Sequence, residues 1–85
     1  MALRIVFTRR ALKDLRSLPK EDRERAMDRI SAFAGEPTAP QHDVIHLVGQ
    51  SKGYRLRVGD WRVVFNVDNE VIEVLRIGHR REVYR

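Results

Sequence analysis

Apolar and polar residues alternate through Tyr54-Arg55-Leu56-Arg57-Val58 and again from Trp61-Arg62-Val63, on either side of Gly59-Asp60. A period of two belongs to half-buried strands. A two-residue loop opening on Gly fits a type II′ hairpin turn, where Gly takes the positive φ. The predicted register sets Val58 opposite Trp61, Leu56 opposite Val63 and Tyr54 opposite Phe65. Arg57 then falls directly across from Arg62 on the other face, with Arg55 beside them. Like charges paired across strands are destabilising, which points to an anionic occupant for this face.

The N-terminal half follows a helical pattern. Leu3–Phe7 reads as a short first strand, and Thr8 as the N-cap of a helix carrying Ala11, Leu12, Leu15 and Leu18 on one face. Past Pro19, a second helix runs from Lys20 to Ala34, with Ala26, Met27, Ile30, Phe33 and Ala34 spaced by three and four. Gly35 suits the C′ position and Pro37 stops the helix. Residues 36–46 are polar, hold two of the prolines and predict a connector with no element; His42 and His46 within it are read as having no specific role. Strands are predicted at Gly53–Val58, Trp61–Val67 and Val71–Ile77, with Asp68-Asn69-Glu70 as the second hairpin turn. The expectation is one α+β domain over residues 1–85, in the order β-α-α-β-β-β. It is a small antiparallel-rich sheet with an N-terminal helical hairpin packed on one face. The first strand is placed near the C-terminal strands. Trp61, Val63, Phe65 and Val67 should face the helices as core, and Arg62, Val64 and Asn66 should face away.

Composition narrows the partners. Eighty-five residues, 42% of them hydrophobic, suffice for a single modest core. Lys plus Arg less Asp plus Glu is 17 − 12 = +5, and the pI near 10.4 favours an anionic partner: nucleic acid, an acidic protein or an anionic membrane surface. No apolar run approaches a membrane span and no signal-peptide core opens the chain. Cysteine is absent, which excludes disulfides and thiolate metal sites. A cytoplasmic protein without membrane association or cofactor is expected.

The tail following the last strand brings His79, Arg80, Arg81 and Tyr84 toward the basic hairpin face, and Lys52 precedes its first arm. Metal-free RNA cleavage must deprotonate a 2′-hydroxyl, stabilise phosphorane charge, protonate the leaving 5′-oxygen and hold the nucleotide in line. Arginine forks suit the phosphate, histidine suits proton transfer, and tyrosine suits proton transfer or base stacking. The same residues fit simple RNA binding. Arg76 is read as a structural partner of Glu73 or Glu82.

The stretch Tyr54–Phe65 followed by Val74–Tyr84, with Phe7-Thr8 before a helix containing Ala11, Leu12, Asp14 and Leu15 and then Leu18-Pro19, resembles the RelE toxins of the RelE/ParE superfamily. The resemblance spans nearly the whole chain outside residues 36–50. It implies a toxin of a type II toxin–antitoxin module, a ribosome-dependent mRNA interferase that cuts the A-site codon by metal-free 2′-hydroxyl attack. It also implies a RelB-like antitoxin, the ribosome and mRNA as partners, and a toxin–antitoxin hetero-oligomer. Matched residue by residue, the catalytic set it implies is Arg55, Arg57, Arg62, His79, Arg80 and Tyr84, with no metal ligand. Lys52 is read from its own position as an electrostatic contact to the RNA backbone, and Arg81 as a phosphate contact or a salt-bridge partner of Glu82. Family members often carry lysines where this chain has Arg55 and Arg57. Arginine does not release its proton, so these two read as phosphate ligands, and proton transfer falls to His79 or Tyr84. The alternatives from the same fold are a ParE-like inhibitor of DNA gyrase and an inactive relative.

Overall fold

A computed structural model describes residues 2–47 and 53–83. Its elements run β1 (Arg4–Phe7), α1 (Arg9–Ser17), α2 (Lys20–Gly35), β2 (Val44–His46), β3 (Gly53–Val58), β4 (Trp61–Asp68) and β5 (Val71–His79). The strands form one five-stranded sheet in the order β1-β5-β4-β3-β2. It is antiparallel except where β1 joins β5 in parallel, so the architecture is α+β with the helices early in the chain. Among the described residues, no helix is long and apolar enough to cross a membrane.

The helices cover one face of this sheet. Leu56, Val58, Val63, Phe65, Ile72, Val74 and Ile77 pack there against Ala11, Leu18, Ala26, Ile30, Phe33 and Ala34. Trp61 and Leu15 are half-buried against the same core, while Leu12 is 38% exposed and lies off the buried stripe. Gly35 is the last helical residue and not a left-handed C′ glycine; the N–H of Glu36 closes the helix on the Ala32 carbonyl at 3.2 Å.

The polar stretch before β3 does contain an element. Val44–His46 forms an edge strand on β3, pairing Val44 with Leu56 and His46 with Tyr54. Three residues behind two prolines are too few to show a period. His46 sits edge-on to the Tyr54 ring at 5.2 Å. His42 packs edge-on to Phe33, its Nε2 2.7 Å from the Glu36 carbonyl oxygen.

The β3–β4 register is the predicted one, Arg57 opposite Arg62 included, and Gly59 takes φ 59° at the turn. The second turn is tighter than expected. Asp68 pairs with Val71, leaving Asn69 (φ 49°) and Glu70 (φ 67°) as a two-residue loop of the I′ kind. A bulge between β4 and β5 sets Val64 against Arg76 but Phe65 against Val74, so Leu75 is the extra residue.

The bulge falls where β1 runs out, since Phe7 is the residue paired with Val74. Beyond it, α1 serves the backbone of β5. The Thr8 hydroxyl donates to the Leu75 carbonyl at 2.9 Å while accepting the Ala11 N–H at 3.0 Å. Asp14 Oδ2 accepts the Ile77 N–H at 2.9 Å.

The other face is not bare. Val64 (7% exposed) and Val83 (1%) are buried apart from the main core. A turn over residues 80–83 closes when the N–H groups of Glu82 and Val83 donate to the His79 carbonyl at 2.8 and 3.0 Å. It lays Val83 over Gly78, where a Cβ would meet that of Val83 at 3.3 Å.

Candidate functional site

Strand alternation puts Arg57 and Arg62 on the face away from the helices, because their neighbours Leu56, Val58 and Val63 are buried on the helix side. The mutual repulsion expected of them is offset within the chain. Arg57 Nε is ion-paired with Asp43 Oδ2, and its N–H donates to the Asp43 carbonyl at 2.9 Å. Arg62 folds back along the hairpin, donating from Nη1 to the carbonyls of Gly59 at 2.8 Å and Trp61 at 2.9 Å. The facing arginines therefore do not by themselves require an external anion.

They do frame one. Arg57, Arg62 and Arg80 line an open polar cleft of about 590 Å³ at the turn end of the sheet. Arg29 from α2 lines it as well, and so do Asp43 and Asp60. The cleft thus wraps from the outer face round the hairpin turn toward α2. Arg80 is anchored to the turn, its N–H on the Asp60 carbonyl at 2.8 Å and its Nε 3.8 Å from Asp60 Oδ1. Of the predicted residues, the structure brings these three arginines together. Arg55 lies on the same face two residues along β3, half-buried and outside the cleft wall.

His79 is placed differently. It pairs across the strands with Trp61, whose indole packs on the helix-side core, and its ring stands edge-on to that indole at 5.8 Å. Its Nδ1 lies 3.3 Å from the Arg81 N–H, and it does not line the cleft. Arg81 is exposed in the same turn. Lys52 and Tyr84 lie outside the described residues. Arg76 pairs in register with Val64, and its buried Nε has no hydrogen-bond partner among the described residues. Sequence reasoning missed Arg29, Asp43 and Asp60. The available signal was the aspartate in the loop itself, Gly59-Asp60, which any tight hairpin brings beside its neighbours.

Residues 5–84 match the family model described as the ParE toxin of the type II toxin–antitoxin system parDE. The chain belongs to this toxin family. Within the RelE/ParE superfamily its kinship is to RelE. The toxin RelE3 of Methanocaldococcus jannaschii is 26% identical over 84 residues, covering 96% of each chain. Among solved structures, the archaeal RelE–RelB complex of Pyrococcus horikoshii OT3 is similar at 32% identity and TM-score 0.80, over 98% of this chain and 100% of that one. The isolated E. coli RelE toxin is similar at 28% identity and TM-score 0.78, over 98% and 92%. The chain is a RelE-family toxin of a type II toxin–antitoxin module.

Proposed function

We propose that this RelE-family toxin is a ribosome-dependent endoribonuclease that cuts mRNA in the A site by metal-free 2′-hydroxyl attack, arresting translation and growth. The observation that carries this reading is the convergence of Arg57, Arg62 and Arg80 on one open cleft. These are basic positions that the resemblance to RelE places in the catalytic set, and arginine chemistry suits them to the phosphate. In-line attack builds charge on the non-bridging oxygens, and preorganised guanidinium donors stabilise it. Arg55 and, from outside the described residues, Lys52 and Tyr84 extend the set, and Arg81 adds a backbone contact. His79, facing Trp61, would need to leave that ring to reach a leaving oxygen in the cleft. The partners that follow are the ribosome, its mRNA and a RelB-like antitoxin. The similar chain from P. horikoshii was solved with RelB, and a charge of +5 suits an acidic partner. The setting is cytoplasmic.

The matching family model carries the ParE name, which favours gyrase inhibition as the second reading. Primer extension on a defined mRNA during translation arrest separates the two. Cuts within A-site codons are expected; intact mRNA with relaxed plasmid DNA would establish the gyrase reading instead. Arg57→Ala and Arg62→Ala should each abolish growth arrest on induction. Arg62→Ala also gives up its bonds to the turn, at a cost of about 1 kcal/mol, so its folded fraction is to be checked by thermal denaturation. Undiminished toxicity in both variants would remove this face from the activity.

A further inference from the structure

The cleft that gathers the arginines also holds carboxylates, and their placement suggests where the 2′-hydroxyl proton goes. Arginine does not accept a proton, and His79 is turned onto Trp61 and does not line the cleft. Among the described residues lining the cleft, the acids are Asp43 and Asp60. Asp60 sits in the loop, its side chain 68% exposed and its carboxylate 3.8 Å from Arg80 Nε. Asp43 is held at two points, by its carboxylate on Arg57 Nε and by its carbonyl on the Arg57 N–H, and its side chain is 43% exposed.

We infer that Asp43 is the general base of this site, an inference that rests on the ribonuclease reading. A guanidinium offers five N–H donors in one plane. With Nε–H directed at Asp43, the Nη donors of Arg57 remain on adjacent edges for a non-bridging phosphate oxygen. One planar group then fixes carboxylate and phosphate side by side. In a near-attack arrangement O2′ stands about 3 Å from phosphorus, so the hydroxyl beside a phosphate on Arg57 falls within reach of the Asp43 oxygens. In the reaction, the O2′–H bond breaks and its proton passes to Asp43. O2′ bonds to phosphorus, the P–O5′ bond breaks, and the leaving O5′ takes a proton from water. Asp43 then returns its proton to solvent, leaving a 2′,3′-cyclic phosphate and a 5′-hydroxyl. The Arg57–Asp43 pair thus acts as one unit, in which Arg57 binds the phosphate and aims the base.

The test splits binding from cleavage on ribosomes programmed with a defined mRNA. D43N, isosteric and neutral, should co-sediment with ribosomes at least as well as wild type. Its single-turnover cleavage should fall about 100- to 10,000-fold, the range for a lost general base. D43E should recover at least tenfold of that loss, and D43S serves as a second neutral variant should D43N fold poorly by circular dichroism. Cleavage by D43N within twofold of wild type overturns the inference. So does a loss of binding that accounts for the loss of cleavage, which would make Asp43 a prop for Arg57. So does a Y84F variant that loses the rate while D43N keeps it. Wild-type protein that leaves the mRNA uncut sinks the ribonuclease reading itself, a result separate from any difference between the variants.

Discussion

Thr8 and Asp14 each perform two tasks at the junction of α1 and β5. Thr8 caps α1 and bonds the carbonyl of the bulged Leu75 with one hydroxyl. Asp14 accepts the Ile77 N–H and lies 3.7 Å from Arg10 Nε one helical turn back. Removing either leaves a backbone group of a partly buried strand without its partner. Thr8→Ala should therefore cost about 1–2 kcal/mol, the loss of a cap, and Asp14→Ala about 1–3 kcal/mol, the cost of an unsatisfied group. Urea denaturation measures both, and an effect below about 0.5 kcal/mol would mean that water replaces the side chain without cost. The cap was legible because Thr precedes a helical stripe. The second bond was not, since nothing in sequence ties Thr8 to Leu75, 67 residues on. The facing arginines were legible as a register, but their ion-pair partner was not. Asp43 sits in a stretch without periodicity, and only the pairing of β2 with β3 brings it to Arg57.

At the scale of elements, period and turn chemistry located both helices and the three long strands, because each repeats a core-facing residue often enough to set a phase. They failed where tertiary pairing overrides local pattern. β2 is too short to declare itself, and the run Val74-Leu75 conceals a bulge that only the end of β1 explains. The I′ loop between β4 and β5 holds two non-glycine residues at positive φ. Asn69 tolerates the left-handed region, but Glu70 at φ 67° is an L-residue in a conformation that glycine adopts without strain. Glu70→Gly creates the Asn-Gly pair preferred by such turns and should raise stability by about 0.5–1 kcal/mol. The strain relieved exceeds the entropy that glycine adds to the unfolded chain. An unchanged or lower urea midpoint would mean that the Glu70 side chain supports the turn in another way.

For the molecule as a whole, the outer face of the sheet is electrically divided. Asp68 and Glu73 line a hollow with Asn66 and Val6 at one end, while Arg57, Arg62 and Arg80 occupy the other. Four arginines (Arg29, Arg57, Arg62 and Arg80) share the cleft with two aspartates, and this local arrangement rather than the formal +5 of the chain should set how RNA binds. Each phosphate contact releases counterions and adds about 0.7 to the slope of log affinity against log salt for a single strand. Arg57→Ala or Arg80→Ala should flatten the slope measured with a short single-stranded RNA by about that amount. Arg4→Ala removes the same unit of charge from exposed β1, away from the cleft, and should leave the slope unchanged. Equal flattening by Arg4→Ala and Arg57→Ala would make the attraction a property of net charge. A difference confined to the cleft arginines would mean that phosphates sit where Arg57, Arg62 and Arg80 converge, with Asp43 beside the nearest of them.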